Sequence, residues 1–245
     1  MRHTSHRVAT FLIMVFLSMG ATSQVVSGDQ LWNRVLDNYR ANSNWFASRL
    51  VITAIERNGA GRILSEERAV MRNYLNDEGE DFQEPLLVIR NGEDITEGRR
   101  EDPNFGQPFG GVSFGEDAFQ GLELFPFDPE QADSVTVQRR ENRRFVGGRS
   151  VVGFDFVHET YGRFSNVGTV WVDAELAMPV RVEGSIRPNP AFVSNFEYEQ
   201  SFDIRGDVFQ ATGYQVEAEG GFLFIRRQFS VTLEFSQFER VDVDS

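Results

Sequence analysis

The chain has 245 residues, 40% apolar and 25% charged, with no Cys. That is the composition of an ordinary globular domain, and it excludes disulfide scaffolds, thiolate catalysis and a lipid-modified cysteine. All 24 basic residues are Arg against 37 acids, a formal charge of −13; no lysine is present for a Schiff base or a phosphate loop, and the acid excess opposes nucleic-acid binding, which needs a basic field. Phe is the outlier at 23 residues against 3 Trp and 5 Tyr, aromatic bulk to be buried or offered to an apolar ligand.

Residues 1–23 read as a secretory signal: Arg2 and Arg7 supply positive charge, residues 9–19 form a short apolar run, and Ala21-Thr22-Ser23 is a small-residue cleavage site. The run is too short to span a bilayer, and polar chain follows it at once. The expected product is a single domain over residues 24–245, exported to the periplasm, free of a lipid anchor and monomeric.

Beyond the leader, Leu31, Trp32, Val35, Leu36 and Tyr39 recur at helical spacing, with Ser27 or Asp29 placed to cap the first turn. The period then changes to two. Leu50, Ile52 and Ala54 alternate with Val51, Thr53 and Ile55 in a strand apolar on both sides; Gly59-Ala60-Gly61 turns it, residues 62–75 return, and 76–81 form an acidic loop. A short strand over 85–90 ends at Asn91-Gly92, a strong tight-turn signal. Residues 102–133 carry Pro103, Pro108, Pro126 and Pro129 among Phe105, Phe109, Phe114, Phe119, Phe125 and Phe127. This is expected to be a long aromatic connection with one helical turn near 116–120, and long ordered loops of this kind usually have a function.

Strands are expected over 133–139, 149–160, 166–173 and 180–186, then over 192–204, 209–219 and from 223 onward. In the run from 192 to 204 the even positions Phe192, Phe196, Tyr198, Phe202 and Ile204 are apolar and the odd ones polar; in the last run Leu223, Ile225, Phe229, Val231, Leu233 and Phe235 share one face. The pattern is a meander of antiparallel strands buried on one side. The fold class is mainly β (α+β): a large antiparallel, incompletely closed β-barrel covered by an N-terminal helix and the aromatic-rich loop. An outer-membrane barrel fits less well, because residues 62–75 carry charge on both faces, a helix precedes the sheet, and the chain ends in Val-Asp-Val-Asp-Ser.

Signals for chemistry are sparse. His158 is the one histidine after the leader, so clustered-His metal sites are excluded, and on a strand beside Phe154 and Phe156 it reads as structural. Residues 111–115 match the G-x-S-x-G elbow with Ser113 as nucleophile, Asp155 and His158 being its conceivable partners; the elbow needs a parallel strand and a helix around it, which this antiparallel pattern does not offer. The 76–81 loop misses the alternate-position spacing of a calcium loop. No catalytic residue, metal or cofactor is expected. Arg139-Arg140 and Arg143-Arg144 bracket an expected hairpin and offer planar forks for a carboxylate or phosphate head group, internal pairing with the many acids being the ordinary alternative.

Gly168-Thr169-Val170-Trp171-Val172-Asp173, a short turn, and Met178-Pro179-Val180-Arg181-Val182-Glu183 form a hairpin. With the leader, the helix and the two-sided strand before it, this hairpin resembles the periplasmic outer-membrane lipoprotein-carrier family (LolA/LolB-like, lipoprotein-sorting proteins). The resemblance implies an incomplete barrel whose apolar interior holds the acyl chains of a lipoprotein, and delivery from an inner-membrane exporter to an outer-membrane acceptor. The chain departs from the family pattern in its aromatic connection and its missing lipobox. The candidate cargo-binding residues are Trp32, Phe105, Phe109, Phe114, Phe119, Trp171, Phe196, Tyr198 and Phe229, with Arg139, Arg140, Arg143 and Arg144 as head-group or partner contacts. An exported serine hydrolase using Ser113, or a structural module binding protein through a sheet edge, are the alternative functions.

Overall fold

A computed structural model describes residues 29–42, 44–75, 81–100, 125–159, 164–222 and 225–240. The leader, the loop at 76–80 and residues 101–124 lie outside these. Helix α1 (Gln30–Asn42) is followed by β1 (Trp45–Asn58), β2 (Ile63–Leu75), β3 (Asp81–Arg90), β4 (Glu93–Asp94) and α2 (Thr96–Arg100). A 3₁₀ turn (Pro129–Ser134) leads into β5 (Val135–Val146), β6 (Arg149–Glu159), β7 (Ser165–Asp173), β8 (Pro179–Arg187), β9 (Val193–Arg205), β10 (Val208–Phe222) and β11 (Ile225–Arg240). They form one eleven-stranded sheet in the order β4-β3-β2-β1-β11-β10-β9-β8-β7-β6-β5, open at its two ends. Every described pairing is antiparallel. Two meanders, β1 to β4 and β5 to β11, are joined by the pairing of β1 with β11, from Trp45 opposite Arg240 to Asn58 opposite Arg227.

Alternation divides the sheet into an inner face, which bears α1, and an outer one. On β9, Phe196, Tyr198, Gln200, Phe202 and Ile204 are buried inward while Glu197, Glu199, Ser201 and Asp203 point outward. One inner rung runs Phe156, Gly168, Gly184, Tyr198, Val216, Val231 and Ala54 across β6 to β1.

Asp29 caps α1, its carboxylate accepting the N–H groups of Leu31 at 2.8 Å and Trp32 at 3.2 Å. The same group pairs with Arg139 at 2.9 Å. Farther along, Asn38 Nδ2 donates to the carbonyls of Leu176 and Ala177 (3.0 and 2.8 Å), and Asn42 Oδ1 accepts from Phe209 N–H at 3.3 Å. So fixed, α1 sets Trp32 against Phe154 with ring centroids 5.0 Å apart. Tyr39 meets Phe125 and Phe127 at 5.8 and 5.4 Å, and Phe127 meets Phe202 at 5.8 Å. Burial, with Asp128 and Glu130 nearby, pushes the Tyr39 phenol up to about 12.

The described end of the aromatic connection is therefore core: Phe127 is fully buried. Two further expectations are corrected. The Arg pairs do not bracket a hairpin; all four lie within β5, and the turn falls at Gly147-Gly148, whose positive φ angles of 56° and 80° suit glycine. Asn91-Gly92 does turn the chain, with φ 51° and 86°, but the returning strand is only the two residues of β4, because α2 begins at Thr96.

Candidate cargo-binding face

Two apolar clusters share the inner face. The larger packs α1, Phe125 and Phe127 onto β5 to β11; the smaller consists of Leu50, Ala69, Met71 and Val88 with Ile95 against it. Thr96, whose hydroxyl accepts Val88 N–H at 2.9 Å, holds the start of α2 over β3. Between the clusters lies a seam. Ile52 and Leu233 pack against both, each only half-buried, and they are register partners, with Tyr214 opposite Leu233 on β10. Ala54, Phe229 and Phe235 flank them, also half-buried, over a floor of fully buried Val231 and Val216. At one end of the seam Glu56 pairs with Arg227 at 2.8 Å, and beyond it Glu67 pairs with Arg99 at 2.9 Å and with Arg90. Among the described residues the seam is thus an apolar strip with incomplete cover and a charged lip.

The described residues singled out from sequence do not all share one face. Phe229 borders the seam. Trp32, Phe196 and Tyr198 are inner-face core. Trp171 is buried too, at 1% exposure, but on the outer face: it fills the hollow left by Gly153, beneath the guanidinium carbons of Arg140 and Arg144, 5.2 and 4.7 Å from its ring centroid. Phe105, Phe109, Phe114, Phe119 and Ser113 lie outside the described residues. The arginines divide likewise. Arg139 and Arg143 stand opposite the inner residues Phe154 and Val152, and Arg144 opposite outer Val151. Arg140 binds Asp155 at 2.8 Å on the outer face. Tyr214, Ile52, Leu233 and Phe235 were not singled out as a group; only the β1–β11 pairing assembles them.

Asp155 and His158 point to opposite faces, so they cannot act together as a relay. Asp155 accepts from Arg140 and Thr169 (2.7 Å) outside. His158 is buried inside, in register with Asn166, which accepts from the Tyr198 hydroxyl at 2.7 Å. Burial holds the imidazole below its ordinary pKa and raises the Tyr198 phenol, the hydrogen bond to Asn166 opposing the latter. His158 Nδ1 has no partner among the described residues.

On the outer face a recess of about 490 Å³ opens where the β8–β9 ladder stops at Gly184 opposite Tyr198. There the Ser185 hydroxyl donates to Phe196 O at 2.6 Å. Four carboxylates, Glu183, Glu197, Glu199 and Glu217, line it, an unsuitable lining for an acyl chain or an anionic head group. Among the described residues no group of three or more His, Asp or Glu is arranged to hold a metal ion, and no helix is long and apolar enough to cross a membrane.

No protein-family model matches the chain, and no curated protein matches it. Solved structures do resemble it. One is a DUF1329 family protein from Desulfovibrio piger, 11% identical over 88% of this chain and 93% of that one, with a TM-score of 0.38. Another is a putative outer membrane lipoprotein-sorting protein domain from Vibrio parahaemolyticus, 12% identical over 87% and 93%, TM-score 0.39. A third is a LolA superfamily protein from Nitrosomonas europaea, 8% identical over 87% and 93%, TM-score 0.40. The open antiparallel sheet expected from the strand pattern is the fold.

Proposed function

We propose that the protein is an exported, non-catalytic carrier that shelters the hydrocarbon of an acyl-bearing cargo, such as a lipidated protein, along the seam of its inner face. The supporting observation is that seam: apolar side chains from β1, β10 and β11 left half-covered between two packed clusters. Each CH₂ removed from water is worth about 0.8 kcal/mol, so a chain of about fourteen carbons gains roughly 10 kcal/mol before ordering costs. The Glu56–Arg227 pair places charge at one end of the strip, where a polar linkage would emerge. In this reading the periplasm is the compartment, and an inner-membrane exporter and outer-membrane acceptor are the partners that load and unload it.

Protein purified from an envelope extract and extracted with organic solvent is expected to release acyl lipid. Stripped protein is expected to bind a fluorescent fatty acid, with Leu233→Glu weakening it at least tenfold. Preparations that are repeatedly lipid-free, and that neither shift the probe nor respond to Leu233→Glu, would contradict the reading.

A further inference from the structure

The end of the sheet where β1, β8 and β10 finish and β2, β9 and β11 begin exposes large apolar side chains. Phe192 is 68% exposed, Ile225 58% and Ile63 49%, with Leu64 beside Ile63. The register sets them in one band. Val193, Gly220, Arg227 and Asn58 share a rung. Phe192 lies one residue beyond it, its carbonyl accepting Gly221 N–H at 2.9 Å; Ile225 lies two beyond, opposite Phe222; Ile63 lies one rung inside, opposite Arg57. At about 3.3 Å per residue the band is roughly 10 Å deep.

Phe192 also has a φ of 65°, in the left-handed region. A bulky residue there is an outlier whose strain a glycine would relieve. The domain thus holds a largely exposed aromatic side chain in an unfavourable backbone conformation. Cations flank the apolar tips: Arg62 and Arg226 are exposed next to Ile63 and Ile225, and Arg187 precedes the β8–β9 connection. Of the acids at this end, Glu56 pairs with Arg227 at 2.8 Å; Glu219 accepts from Gln228 at 3.1 Å and keeps its charge, Glu66 is exposed farther up β2, and exposed Glu159 shares a rung with Arg187 through Ser165. Against a chain charge of −13, arginines at this end, Arg57, Arg62, Arg187, Arg226 and Arg227, outnumber the acids Glu56, Glu66, Glu159 and Glu219.

We propose that the rim docks on an anionic phospholipid bilayer, the apolar tips entering the interfacial layer while the guanidinium forks meet lipid phosphates. A fluid surface fits side chains that project from separate hairpins, and the excess of arginine selects an anionic one. The inference stands apart from the cargo reading, since a protein that carries nothing can still dock.

The test is co-sedimentation of the protein, as recovered from the cell, with phosphatidylglycerol/phosphatidylethanolamine vesicles and with phosphatidylcholine vesicles, at low and high salt. Binding to the anionic vesicles is expected to exceed binding to the neutral ones at least fivefold and to weaken with salt. Phe192→Gly, which relaxes the backbone, and Ile225→Ser are each expected to cut it severalfold without lowering Tm. Arg62→Gln with Arg226→Gln is expected to remove the anionic preference. No vesicle binding, or binding unchanged in the Phe192→Gly/Ile225→Ser double variant, would overturn the proposal; so would variants that bind vesicles normally but lose a defined protein partner, which would give the rim to that protein.

Discussion

Gly184 leaves the space into which Tyr198 lies. An added Cβ there would stand 2.4 Å from the Tyr198 phenol, whose hydroxyl reaches past it to Asn166. Gly184→Ala is therefore expected to cost about 1–3 kcal/mol, the usual range for overpacking, read as a lower denaturant midpoint at unchanged slope. His158 makes a second expectation at this scale. Because burial depresses its pKa, the unfolded chain protonates first. The stability it contributes is complete above the ordinary value of 6.5 and is lost as pH falls through the folded-state pKa. Denaturation between pH 7 and 5 is expected to show a decline that His158→Leu flattens. Trp171 marks a limit of the sequence reading at this scale. Val170, Trp171 and Val172 are apolar in succession, so alternation cannot say which points inward; the hollow at Gly153, a neighbour only across the ladder, draws the indole to the outer face.

At the scale of elements, α1 and β5 were legible to different degrees. The helix, its apolar stripe and a cap at Ser27 or Asp29 followed from spacing and side-chain chemistry, and the structure selects Asp29. Asp29→Ala is expected to destabilise the domain by about 1 kcal/mol, as lost N-caps do, and also to release Arg139. Strand β5 was misjudged because its arginines read as turn-flanking charge, whereas the glycine pair at 147–148 supplies the turn. On an edge strand those arginines have a plain use. Charge, together with the register break between Arg139 and Arg143, discourages another strand from pairing there. Arg143→Thr with Arg144→Val is expected to promote self-association, visible as a mass increase by light scattering; a monodisperse monomer at high concentration would count against that role.

The whole molecule depends on one pairing between distant parts of the sequence. Local periodicity showed that β1 is apolar on both sides and that β11 is apolar on one. It carried no information that Ile52 would meet Leu233, because chain-end pairing is a property of topology and not of spacing. Of the described Trp, Tyr and Phe positions chosen from sequence, Trp32, Trp171, Phe196 and Tyr198 are buried and Phe229 borders the seam. Two carboxylates tie α1 and the hairpin beneath it to the sheet. For Asp29 burial opposes ionisation, but Arg139 and the N–H groups of Trp32 and Leu31 hold its pKa below the ordinary 3.8. For Asp173 burial likewise opposes, and the N–H groups of Leu176 and Glu175 with Arg149 lower it. Both contributions are present above 3.8 and disappear as pH falls through the depressed values, so acid unfolding is expected to set in below about pH 4 and to shift upward in Asp173→Asn.

Methyl NMR with a protonated fourteen-carbon acyl ligand reports directly on where hydrocarbon sits. Intermolecular NOEs are expected at the methyls of Ile52 and Leu233 and absent at outer-face Val70 and Val157. Saturable binding with NOEs confined to the outer face, or no binding to the lipid-stripped protein, would contradict the account.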